Sequence, residues 1–210
     1  MTYAVLSGLL AFGLASAEHA TLMFKGVVLG LIIALIVGAG VGYIAVVSGA
    51  IPANADAEPG PFEHWLASTS LRATLESQAP KGANPVAQTD ANLIEGIRLY
   101  GQNCAICHGS AKGKNAASWI AKGEYPAPPQ LASDGVEDDP EGWTFWKIKH
   151  GVRLTGMPSW KDALNDKQIW TLALFLKNMD KLPAAADAEW KALPAPSPGP
   201  ASPANSAPPR

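Results

Sequence analysis

The residues able to do chemistry in this chain are few and close together. Cys104-Ala105-Ile106-Cys107-His108 is a C-x-x-C-H run, and its two cysteines are the only ones in 210 residues. That pattern reads as covalent attachment of a c-type haem. The reason is geometric. Two thiols add across the two vinyl groups of one porphyrin as thioethers, and two intervening residues give a turn of suitable span. The adjacent imidazole of His108 is then carried beneath the iron as its proximal ligand. Three other uses of the pair stand beside this one. A thioredoxin-like dithiol wants a βαβ setting, and no alternating β-branched stretch lies nearby. A zinc site wants four ligands, and only His150 and scattered carboxylates are at hand to complete one. The third is chance, in a chain poor in cysteine. Two cysteines also exclude a disulfide-stapled scaffold.

The elements that must hold this motif are helical in pattern. Asp90 is placed to cap a helix whose inward face is Leu93, Ile94, Ile97 and Tyr100, with Gly101 closing it. Asp139-Pro140-Glu141 opens a second helix through Trp143, Trp146 and Ile148 to Gly151. Asn165 with Gln168 three residues on resembles a capping box. It opens a third helix with Ile169, Leu172, Ala173 and Leu176 on one face, and Pro183 stops it.

Over about residues 89–182 the chain resembles the class I c-type cytochromes. The resemblance rests on Gly96-Ile97-Arg98-Leu99-Tyr100 ahead of the C-x-x-C-H run, on Thr155-Gly156-Met157-Pro158, and on the last helix with Trp170. It implies an all-α fold wrapped round one haem c per chain and a role in one-electron transfer. In that family a glycine and an aromatic on the first helix cross an aromatic on the last; Gly96, Tyr100 and Trp170 fit those positions.

The resemblance also implies a second axial ligand. Met157 lies 49 residues after His108 and precedes Pro158, like the family's distal methionine. Methionine–histidine ligation raises the potential, and a bound thioether fills the position that oxygen or peroxide would need. The competing reading is an ordinary loop methionine. Met179 falls in the last helical turn, where packing is its expected job. His150 is the alternative ligand, although a histidine ahead of Gly151 at a helix end also suits the surface. His19 and His64 lie outside the domain. Around the metal, a ligating histidine gives its other N–H to a carbonyl. Pro129-Gln130-Leu131 resembles the family's Gly-Pro-Asn-Leu segment, so the Pro129 carbonyl is expected there, with Leu131 on the porphyrin. Arg153 and Trp160 flank the Met157 loop and are placed to meet the haem propionates.

The rest of the chain sorts by composition. Residues 26–55 carry no charged side chain, and Gly26 to Gly49 is long and apolar enough for a membrane helix. Lys25 before it and Asp56, Glu58 and Glu63 after it favour the N-terminus inside and the C-terminus outside. Gly38 and Gly42 form a G-x-x-x-G pair, a helix-pairing face or simply lipid-facing glycine. Residues 1–22 admit three readings: a short first membrane helix, a weak signal without a basic start, or an extension upstream of a chain beginning at Met23, the last slightly favoured. Residues 56–88 read as a stalk with a helix over about 58–79, lying in the membrane interface or packing on the next domain. Residues 183–210, with eight prolines and nine alanines, are expected to be extended or disordered.

Charge completes the picture. The whole chain has 16 basic and 18 acidic side chains, a formal charge of −2. This argues against nucleic acid as a partner. Glu137-Asp138-Asp139, near Asp134 and Glu141, makes an acidic loop that is either a docking patch or a solvated face. The expectation is a single-pass protein of a bacterial cytoplasmic membrane with its haem domain in the periplasm. It would carry electrons between membrane redox complexes or soluble periplasmic carriers. A subunit of a larger oxidoreductase and a peroxidase or gas sensor are the rival expectations.

Overall fold

The computed structural model of the chain describes residues 2–111 and 118–195, with backbone alone over 2–22. It is all-helical; among the described residues there is no strand. The chain divides into two units, the first ending at Ala53.

The first unit is one helix, α1 (Thr2–Val47). Its stretch Met23–Val47 is apolar enough to cross a membrane, with a mean hydropathy of 2.6. At 1.5 Å per residue those 25 residues extend about 37 Å, enough for a hydrocarbon core of about 30 Å. The backbone of 2–22 continues the same helix. Its end is set two residues earlier than the apolar run suggests. Gly49 takes φ +73°, so its N–H reaches the Val46 carbonyl at 3.3 Å and that of Ala50 reaches Ala45 at 3.1 Å. This is the paired bonding of a Schellman stop, which glycine permits without a Cβ penalty.

The second unit contains α2 (Pro61–Gln78), α3 (Asp90–Asn103), α4 (Ala105–His108), α5 (Trp119–Gly123), α6 (Leu131–Asp134), α7 (Glu141–His150), α8 (Asp166–Lys177) and α9 (Ala184–Ala192). The cap of α3 is Thr89, whose hydroxyl accepts from the Asn92 N–H at 3.2 Å. Asp90 is instead the first residue inside, where its carboxylate suits the helix dipole. Gly101 does not close α3, which runs on to Asn103. The capping box at the start of α8 is present in full, with Asn165 and Gln168 satisfying each other's backbone N–H groups at 3.0 Å.

The core is the crossing of α3 and α8. A Cβ at Gly96 would lie 2.6 Å from the Thr171 carbonyl oxygen and 2.7 Å from Phe175 Cβ. Only a glycine lets the two backbones meet so closely. The aromatic that answers Tyr100 across this crossing is Phe175, edge-on with ring centroids 5.5 Å apart. Trp170, the expected partner, instead stacks on Phe145 of α7 at 4.3 Å. From Ile169 to Leu176 all side chains but Trp170 are buried, so α8 runs through the middle of the unit.

The expectation that no core forms beyond Pro183 does not hold for α9. Trp190 is 6% exposed and meets both Tyr100 at 5.5 Å and Phe175 at 5.3 Å. Ala186 is fully buried, Leu193 covers Gly101, and Ser110 donates to the Pro194 carbonyl at 2.9 Å. One large aromatic supplies the apolar area that a count of alanines and prolines hides. Residues 196–210 of that expected tail lie outside the described residues.

The stalk helix α2 is divided in character. Its C-terminal end packs on the domain: Leu75 and Ala79 are buried, and a Cβ at Gly142 would strike the Pro80 carbonyl at 1.9 Å. Its first turns are exposed and carry Phe62, Trp65 and Leu66 on the surface. The Tyr125 hydroxyl donates to Glu63, which holds that phenol up to about 12.

Candidate haem-binding site

The attachment motif is the short helix α4 with its two flanks. The Cys107 and His108 N–H groups both return to the Cys104 carbonyl, at 3.1 and 2.9 Å, which turns the two thiols and the imidazole about one axis. Gly109 ends the turn at φ +78°. Tyr100 locks it from beneath, its hydroxyl donating to the Gly109 carbonyl at 2.8 Å. Gln130 holds it from the side, its amide donating to the Cys107 carbonyl at 2.9 Å. Burial and the neighbouring Cys107 push the Cys104 thiol up to about 12. Burial and Glu124 push Cys107 up to about 11. Both sulfurs therefore stand as thiols at neutral pH.

His108 is oriented for metal binding. Its Nδ1 lies 2.9 Å from the Pro129 carbonyl oxygen. A carbonyl can only accept, so Nδ1 carries the proton and Nε2 keeps its lone pair. Burial lowers the pKa of the ring, against the opposing pull of the Pro129 bond, and so favours the neutral, ligating form. The Pro129 carbonyl thus occupies the place expected for the proximal acceptor.

Both groups open onto a cavity of about 320 Å³. Its walls come from several elements, among them Leu131 of α6, Ile148 of α7, Leu176 of α8, and the loop carrying Val152, Met157 and Trp160. That loop is closely held. Val152 N–H donates to the Met157 carbonyl at 3.2 Å, and the Met157 N–H donates to Thr155 Oγ1 at 3.1 Å. Thr155 donates in turn to the Val152 carbonyl at 2.7 Å. Gly151, at φ +69°, lets the chain pass within 2.7 Å of where a Cβ would meet Met157 and Pro158. The donor set is an imidazole nitrogen, a thioether sulfur and two thiols on one mainly apolar cavity. A porphyrin fits that set: apolar walls for its faces, S–H groups for its vinyls, and soft axial donors for its iron. A zinc centre does not, since no three or more His, Cys, Asp or Glu side chains are placed to hold one metal ion among the described residues.

Of the residues singled out from the sequence, Cys104, Cys107, His108, Pro129, Leu131, Met157 and Trp160 line this one cavity. Arg153 does not: it is exposed and outside the lining. His150 is exposed as well, its ring against Trp146 at 4.8 Å. Met179 is buried in the core. The acidic loop is partly used internally, since Asp139 pairs with Lys147 at 2.6 Å.

Sequence reasoning missed Glu124, Lys147 and Leu71, and singled out Thr155 only as part of the run ending at Pro158; all four line the cavity. Leu71 comes from the stalk helix α2. Its i, i+4 relation to Leu75, the buried anchor of α2, was a signal that α2 lies on the haem domain.

Residues 91–176 match the family described as cytochrome c oxidase, cbb3-type, subunit III. The chain is 34% identical over 93 residues to a protein named Cbb3-type cytochrome c oxidase subunit CcoP, from Azospirillum brasilense. That match takes in 43% of this chain and 30% of the relative's length. No solved structure matches. The unit built round the cavity is a c-type cytochrome domain.

Proposed function

We propose that this chain binds one haem c covalently through Cys104 and Cys107, with His108 and Met157 as axial ligands. It would pass one electron at a time between redox partners at the periplasmic face of a bacterial cytoplasmic membrane. The observation that carries the reading is the single cavity lined by both thiols, the oriented His108 imidazole and the Met157 thioether. When bound, the haem supplies a one-electron Fe(III)/Fe(II) couple. The protein's part is to hold and shield it. Cys104 and Cys107 tether the ring, Pro129 fixes the His108 tautomer, and the Thr155 bonds keep Met157 in its loop. Leu131, Ile148 and Leu176 exclude water. With both axial places taken by side chains, the domain carries electrons rather than activating oxygen, so the chain is an electron carrier and not itself an enzyme.

The span Met23–Val47 would keep the domain beside membrane partners and raise their effective concentration. A second reading is favoured by a specific observation. The matched family and the relative from Azospirillum brasilense are both described as subunits of a cbb3-type cytochrome c oxidase. On that reading the haem is one relay within such a complex.

A redox-titrated absorption spectrum of the membrane-extracted protein tests the core of the proposal. One covalently held haem titrating in a single one-electron step is expected; absence of covalent haem refutes it. Purification in mild detergent separates the two settings. Stoichiometric co-elution with membrane oxidase subunits supports the relay, and a chain eluting alone supports the free carrier.

A further inference from the structure

Glu124 stands where neither the attachment motif nor the distal loop needs a residue. Its carboxylate accepts the Cys107 S–H at 3.3 Å. On its other side it lies against Gly156, where a Cβ would meet Glu124 Cδ and Oε2 at 2.7 Å. One carboxylate therefore touches both the second attachment cysteine and the residue before Met157. It is also the one carboxylate among the described residues lining the cavity. Its counterpart there, Lys147, is already paired with Asp139 at 2.6 Å, and no ion pair to Glu124 occurs among the described residues.

Thioether formation changes what Glu124 faces. On attachment the Cys107 S–H would add across a vinyl group, sulfur bonding to one carbon and the hydrogen passing to the other, so the carboxylate keeps its charge and loses its donor. A negative charge half-buried beside a largely apolar cavity is less screened than one in open water. It favours Fe(III) over Fe(II).

We propose that Glu124 sets the reduction potential of this domain, holding it below the value that the His108–Met157 ligand pair would give alone. This rests on the reading of the cavity as a haem c site. If the wild-type chain carries no covalent haem, that reading fails; if haem is attached and Glu124 leaves the potential unmoved, this inference alone fails.

The test is an equilibrium redox titration of the full-length holoprotein and of its Glu124→Gln and Glu124→Asp variants. Glu124→Gln, which removes the charge and keeps the shape, is expected to shift the Fe(II)/Fe(III) ratio about tenfold toward Fe(II), or about +59 mV for one electron. Glu124→Asp is expected to stay near wild type. The sign guards against a structural artefact: loss of the Met157 bond would lower the potential, because methionine ligation raises it. An unchanged or lowered potential in Glu124→Gln overturns the proposal. So does a rise in Glu124→Asp as large as in Glu124→Gln, since the effect would then follow from shape rather than charge.

Discussion

At the scale of single residues, the site divides into groups that hold and groups that tune. His108 is held twice over, by the Pro129 carbonyl at Nδ1 and by the α4 turn that Tyr100 and Gln130 fasten. Met157 is held by its loop, through Thr155 and the close passage of Gly151, and packs against the core. Met157→Ala should therefore leave the fold and the covalent haem in place while opening the sixth position. The ferrous variant is expected to bind carbon monoxide readily at neutral pH where the wild type does not, and its potential should fall. Ready binding by the wild type would mean that Met157 is not the ligand. The C-x-x-C-H run stood out in the sequence as a local pattern, and the Met-Pro pair through the family resemblance. Glu124 and Lys147 were not. They reach the cavity through tertiary packing, and neither Glu124, two residues after Lys122, nor Lys147, two before Lys149, sits in a spacing that betrays it. Arg153, close to Met157 in sequence, is exposed and lies outside the cavity lining.

Between elements, the decisive contact is backbone on backbone. Gly96 lets α3 lie directly on α8, and Tyr100, Phe175 and Trp190 close round the crossing. Gly96→Ala should cost about 1–3 kcal/mol through overpacking, because the atoms it meets are a backbone carbonyl and a Cβ rather than a flexible side-chain tip. Chemical denaturation of the holoprotein measures it, and a cost under a few tenths would show that the crossing yields. The helices themselves were readable from caps and periodicity. Which residue of α8 meets Gly96 was not, because periodicity fails on a helix buried almost all round: every position from Ile169 to Leu176 save Trp170 qualifies as inward. α9 was invisible for a compositional reason, since eight prolines and nine alanines mask one tryptophan. Trp190→Ala should destabilise the domain by roughly 3–5 kcal/mol. It should leave the absorption spectrum unaltered, because Trp190 lines no part of the cavity. A spectral change without loss of stability would place α9 in the site and not in the scaffold.

For the molecule as a whole, the question is whether the anchor and the haem domain depend on each other. The second unit has its own core, its own caps and every residue of the cavity, all from Asn54 onward. The linker helix α2 belongs with it, since Leu75 is buried, Pro80 packs on α7 at Gly142 and Leu71 lines the cavity. The first unit supplies a span of 25 residues. A chain of residues 54–210, exported and matured with haem, should then be soluble and keep the absorption spectrum and potential of the full protein. Its rate of reduction in membranes should fall at equal total concentration and recover when the soluble chain is supplied in excess, because tethering acts through effective concentration alone. A shifted potential would mean that α1 shapes the site. A rate that excess soluble chain cannot restore would mean that α1 is itself part of the docking surface, as a subunit built into an oxidase requires.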